Sequence, residues 1–228
     1  MAAAQSATRT TDSAGAARLR VNEIFHSLQG ETTRSGLPTV FIRLTGCPLR
    51  CSYCDTVYAF HEGEWRSIDQ LLRDTAAYGT RYVTVTCGEP LAQPGCLVLL
   101  RALCDAGFDV SLETGGALDI AAVDARVARI VDIKTPGSGE DAKNRWSNFD
   151  LLRPSDQLKF VICDRADYDW ARGVLGEHRL AERCAVLFSP SHEQLPAAAL
   201  ADWILADRLP VRLQIQLHKY LWGNVRGR

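Results

Sequence analysis

Cys47, Cys51 and Cys54 stand in C-x3-C-x2-C spacing within GCPLRCSYCD, residues 46–55. Thiols this close in sequence form either a disulfide with one thiol left over or a metal site. Structural zinc takes four closed ligands, commonly as two separated pairs, and no second pair of that spacing follows downstream. An iron-sulfur cube is usually held by thiolates, and three local cysteines would leave one iron open to a substrate or cofactor. Cys96, Cys104, Cys163 and Cys184 sit in apolar runs and read as small buried hydrophobes. Cys87, in TCGEP, belongs to neither group.

The elements that must position the triad follow from periodicity. Strand-like runs VNEIFHSL, TVFIRL, YVTVT, FDVSLET, RIVDIKT, QLKFVIC, AVLFSP and VRLQIQL alternate with segments of helical period. SIDQLLRDTAAYG places Ile68, Leu71, Leu72 and Thr75 on one face, with Ser67 as N-cap and Gly79 as stop. A second helix runs from near Pro94 to Gly107, and RADYDWARGVLGEH and QLPAAALADWILADR are two more. The alternation predicts an α/β fold with a parallel sheet of βαβ units. A full barrel of eight such units takes about 250 residues, and the first two strands have no helix between them. A shortened, open barrel over residues 19–228, as a single domain, is therefore expected. Chemistry gathers at the carboxyl ends of such strands. GCPLRC, CGEP, TGG, KTPGSG and SPSHE all fall there.

A chain of 228 residues, 46% hydrophobic and 23% charged, can bury a core without a disulfide framework. Its net charge of -1 gives no broad electrostatic footprint for nucleic acid or an anionic membrane, so a small-molecule partner is expected. Residues 1–18 are small and polar, lack an apolar stretch, and read as a disordered tail. A reducing, cytoplasmic location is the matching expectation.

The cysteine spacing, with Tyr53 before the last thiol, resembles the signature of the radical S-adenosylmethionine superfamily. The resemblance implies a [4Fe-4S] cluster on Cys47, Cys51 and Cys54. Its open iron would chelate S-adenosylmethionine, which the reduced cluster cleaves to a 5'-deoxyadenosyl radical. Gly88 and Glu89 match the superfamily's Gly-Gly-Glu segment, whose first glycine is Cys87 here, either as a substitution that fits or as an extra thiol. Lys134, Ser138, Ser189 and His192, at strand ends, together with Tyr53 and Asp55, would hold the cofactor.

EIFHSLQGETTRSGLPTVFIRLTGCPLRCSYCDT, residues 23–56, closely resembles the first block of the 7-carboxy-7-deazaguanine synthase family, and LETGG, DIKTPGSGE and QLHKYLWG extend the likeness. Thr32 replaces a glycine after the acid of the family's SxQGEG-like text. The resemblance implies conversion of 6-carboxy-5,6,7,8-tetrahydropterin to 7-carboxy-7-deazaguanine with loss of ammonia. Leu28, Gln29, Gly30 and Glu31 would read the pterin edge, where a carboxylate can accept from adjacent ring N–H and amine groups. Arg43 would fork onto the substrate carboxylate, and Thr86 and His218 are further substrate contacts. Thr56 would bind Mg2+, with Asp55 as a lesser candidate. An electron donor such as flavodoxin or ferredoxin is implied, and a homodimer is expected because an open sheet edge needs cover. Two rivals remain at this stage: a glycyl-radical activase with the same cysteine spacing, and a non-catalytic zinc or thiol-binding module.

Overall fold

The structure, a computed structural model, describes residues 17–228. Most of the expected tail, residues 1–16, lies outside the described residues, and Arg18 already belongs to the first strand. β1 (Arg18–Leu28) and β2 (Pro38–Leu44) form an antiparallel pair in which Glu23 faces Arg43. β3 (Glu64–Ser67) lines the outer edge of β1. On the other side of β2 follow β4 (Tyr82–Thr86), β5 (Asp109–Thr114), β6 (Ala128–Ile133), β7 (Gln157–Ile162), β8 (Ala185–Pro190) and β9 (Arg212–Leu213), each parallel to its neighbour. The sheet order is β3-β1-β2-β4-β5-β6-β7-β8-β9, open at β3 and β9. The shortened open barrel is therefore observed.

α1 (Ile68–Ala76), α2 (Gly95–Asp105), α3 (Arg165–Glu177) and α4 (Ala197–Asp207) cover the outer face. Ser67 caps α1 through a reciprocal capping box with Gln70, and Ile68, Leu71 and Thr75 are its buried face. α2 ends before Gly107, which takes the positive φ that stops a helix cheaply. The strands alternate. Val83, Val85, Val110, Leu112, Val131, Ile133, Leu158 and Phe160 join the helices in the apolar core, each full burial stabilising by roughly 1.5–3 kcal/mol. The residues between them face inward, and many are polar: Thr84, Thr86, Ser111, Glu113, Asp132 and Lys159. That polar inner face is where the site is built.

Three elements differ from the sequence reading. β3 is a short, charged strand without alternation, so no periodic signal marks it. The crossover from β6 to β7 is made of 3-10 turns within 136–151, where Pro136, Gly137 and Gly139 interrupt any longer helix. The expected strand VRLQIQL pairs only at Arg212 and Leu213. Gln214 then turns its side chain onto the Gly30 and Ile215 carbonyls, and the chain enters α5 (Leu217–Trp222).

Candidate active site

The cysteine loop follows β2 and is fastened from three sides. Gly46 takes φ +98°, and its carbonyl accepts from the Glu89 amide at 3.0 Å. A Cβ on Gly88 would run into that carbonyl and crowd Cys47, so only glycine lets the two loops approach. Ser52 donates from its amide to the Ser138 carbonyl at 3.0 Å and from its hydroxyl to the Gly137 carbonyl at 2.7 Å. The Arg50 amide donates to Glu140, and its guanidinium lies over Phe60. Buried Asp167 anchors the supporting turn, accepting from Thr135 Oγ1 and the Gly137 and Cys163 amides.

Cys47, Cys51 and Cys54 are free, partly buried, and line one cavity of about 720 Å3, a volume typical of small-molecule sites. No three His, Cys, Asp or Glu side chains among the described residues are gathered closely enough to hold a single ion. Burial pushes the Cys47 and Cys51 thiols up, so thiolate ligation there would release protons. Two buried polar atoms on residues of this cavity lack partners: the Tyr53 hydroxyl, whose pKa burial raises, and Asp132 Oδ1. Lys134 lies over the Tyr53 ring and pairs with Asp132 Oδ2 at 2.7 Å. Three free thiols, a buried lysine and two unpartnered oxygens fit a cluster with a polar cofactor beside it.

The opposite wall carries Glu31 and Arg43. Glu31 Oε2 takes Lys159 Nζ at 2.9 Å and Oε1 takes Gln216 Nε2 at 2.8 Å. Burial by itself would raise its pKa; Lys159, Gln216 and His218 outweigh that and hold it down at about 2. Glu31 therefore stays an acceptor. Gln29 is buried and has two tasks: Oε1 accepts from the Glu31 amide, and Nε2 donates to Thr84 and Glu113. Thr86 Oγ1 donates to Glu113 at 2.7 Å. Arg43 Nε donates to Glu23 at 2.7 Å, with the Cys87 thiol beside the guanidinium. Cys87 has φ +75°, a conformation that costs a side chain roughly 1–2 kcal/mol. Burial pushes its pKa up to about 11, with Arg43 opposing.

Leu28, Gly30, Thr56, Gly88, Ser189, His192 and His218 also line the cavity. His218 lies on α5, not on a strand, and packs against Gly30. Thr56 Oγ1 donates to Asp55 Oδ1 at 2.8 Å, which sets two hard oxygens side by side, while Asp55 Oδ2 is held by Lys219. Glu89 and Ser138 are the exceptions among the expected residues. Glu89 is fully buried, and its carboxylate is taken by Thr114 Oγ1 and the Gly115 and Leu91 amides, with burial raising its pKa. Ser138 spends its hydroxyl on Thr135 and Glu140 inside its own turn. Neither is among the residues that line the cavity. Glu23, Glu113, Asp132, Lys159 and Gln216 were not singled out from the sequence. Asp132 and Lys159 are register partners on β6 and β7, and a lone charge inside each apolar run was the available signal.

A thiol loop at the strand ends of an open parallel barrel defines a radical S-adenosylmethionine protein, and residues 41–135 match the family model described as the Radical SAM superfamily. The fold is shared with the crystal structure of QueE from Escherichia coli, at 23% identity and TM-score 0.71, covering 87% of this chain and 94% of that one. The 7-carboxy-7-deazaguanine synthase of Chlorobaculum tepidum is 46% identical over 92% of this chain and 98% of its own length. That of Koribacter versatilis is 40% identical over 90% and 97%. The chain belongs to the 7-carboxy-7-deazaguanine synthase family.

Proposed function

We propose that the chain converts 6-carboxy-5,6,7,8-tetrahydropterin to 7-carboxy-7-deazaguanine with loss of ammonia. The observation that carries this is an ionised, recessed carboxylate, Glu31, and a guanidinium, Arg43, lining the same cavity as three free thiols. Cys47, Cys51 and Cys54 would hold a [4Fe-4S] cluster, which with S-adenosylmethionine would supply radical chemistry for hydrogen abstraction from the pterin. The protein's own part is binding, orientation and exclusion of water.

Lys159 keeps Glu31 charged, so that its remaining lone pairs accept from the N–H groups of the pyrimidine edge. Gln29 and Thr86 hold Glu113 as a second acceptor on the same wall. Arg43, held on one side by Glu23, turns its other N–H groups to the substrate carboxylate. Of the residues expected to hold S-adenosylmethionine, Tyr53, Asp55, Gly88, Lys134, Ser189 and His192 line the cavity. Thr56, with Asp55 beside it, is the proposed Mg2+ position. Mg2+ there would orient the substrate carboxylate and would compete with Lys219 for Asp55.

A one-electron donor of the flavodoxin or ferredoxin kind and a cytoplasmic setting complete the reading. No helix among the described residues is long and apolar enough to cross a membrane. A homodimer is supported by the exposed Leu213 and Ile215 at the β9 edge, and light scattering of the purified chain tests it. The decisive experiment is anaerobic incubation of the reconstituted chain with the carboxytetrahydropterin, S-adenosylmethionine, Mg2+ and reductant. The expected result is the deazaguanine product by mass, and its absence overturns the proposal.

A further inference from the structure

The C-terminal segment lines the cavity, and polar contacts tie it to residues of the site. α5 contributes no residue to the apolar core. Gln216 donates to Glu31, Lys219 pairs with Asp55 at 2.6 Å, and residues 223–228 are part of the cavity lining. A segment with little apolar burial has little local stability of its own. What holds its end is Arg226.

The Arg226 guanidinium stacks on the Tyr58 ring, 4.2 Å from its centroid. It donates from Nε to Glu23 Oε2 at 3.3 Å, from Nη1 to Glu62 at 3.1 Å and from Nη2 to Asn22 at 3.0 Å. Glu23 is also the carboxylate that holds Arg43: Oε1 accepts from Arg43 Nε at 2.7 Å and from the Tyr58 hydroxyl at 3.0 Å. One carboxylate thus joins an arginine in the cavity wall to an arginine on its cover. Tyr58 touches both, as a donor to Glu23 and as the ring under Arg226.

We propose that Arg226 and Glu23 are positioning residues that latch the C-terminal segment over the substrate and, through the shared carboxylate, fix Arg43 for the substrate's carboxylate. The inference deepens the pterin reading and rests on it. With Arg226 in place, Glu23 is tied on both oxygens and Arg43 has one orientation. Without it, Oε2 is free, Glu23 can rotate onto Arg43 with both oxygens, and the guanidinium fork is spent inside the protein instead of on the ligand. Loss of Arg226 therefore costs selectivity for a carboxylated ligand as well as closure.

The test is anaerobic titration of the full chain, reconstituted with cluster and S-adenosylmethionine, against 6-carboxytetrahydropterin and against tetrahydropterin lacking the carboxylate. The wild type is expected to prefer the carboxylated ligand. Arg226→Ala lowers that preference about fivefold, in line with the exposed position of the latch, and Arg226→Lys restores part of it. Carboxypeptidase release of the last residues is expected to slow when the carboxylated pterin is added to the wild type and not when it is added to Arg226→Ala. Equal weakening of both ligands, or none, overturns the latch while leaving the pterin reading intact. A wild type that binds neither ligand, or both equally, overturns the pterin reading and the latch with it.

Discussion

At the scale of residues, the proposed chemistry rests on Glu31 and on the cysteine triad. As the proposed acceptor Glu31 must stay ionised, and Lys159 is the foremost group that keeps it so against the pull of burial. Its carboxyl is depressed from 4.5 to about 2, so its contribution to stability is fully present above pH 4.5 and is lost as the pH falls towards 2. In Lys159→Met, burial acts with less opposition and the carboxyl rises. The expected outcome is a smaller drop in urea midpoint between pH 4.5 and 2 than in the wild type. At neutral pH the variant loses about 2 kcal/mol, the worth of a hydrogen-bonded charge left without its partner, which the same titration reads. Cys51→Ala removes one of three thiols, and anaerobic reconstitution with iron and sulfide then yields little or no iron-sulfur absorption in the visible. Unchanged absorption would refute the cluster assignment.

At the scale of elements, the cysteine loop is held in place by neighbouring loops. At the Gly46–Gly88 approach a side chain has no room, and Gly88 has φ +55°. Gly88→Ala is expected to push the TCGEP loop away from the cysteines. Iron and sulfide content after reconstitution should fall severalfold while the circular dichroism of the fold is kept. Ser67 carries a different kind of weight. Its capping box joins β3 to α1 far from the cavity, so Ser67→Ala costs about 1 kcal/mol of stability. Denaturant unfolding measures that loss, and pterin binding is unaffected.

At the scale of the whole molecule, an open barrel must secure long crossovers that lack helices of their own. Arg129, at the start of β6 and almost wholly buried, does this between β5 and β7. It pairs with Asp156 and donates to the Ile120 and Leu151 carbonyls, tying both flanking loops to the sheet. Removing one partner of a buried pair strands the other charge, so Arg129→Met is expected to cost roughly 3–5 kcal/mol. Thermal unfolding checks this. A shift no larger than that of Ser67→Ala would show that the loops hold without it.

Composition, periodicity and spacing determined much of this protein. Alternating strand and helix periods are local properties of the chain, and they placed the parallel sheet, α1 with its cap, and the polar strand ends. The triad's spacing put three thiols in one loop, because residues three and four apart cannot separate far. The residues around Gln29, Glu31 and Arg43 resemble the family's text, and that resemblance implies a substrate class. Tertiary structure alone decided which polar groups meet. Lys159 lies 128 residues from Glu31, and Arg226 lies 203 from Glu23, distances over which sequence periodicity carries no register. Glu89 and Ser138 stood in the expected segments, yet their oxygens are taken by the protein's own donors. β9 is short, and just past it the Gln214 side chain reaches the Gly30 carbonyl, a partner set by the path of β1. Whether a side chain faces a ligand or its own backbone depends on which surface folding leaves open, and that is a property of the assembled barrel.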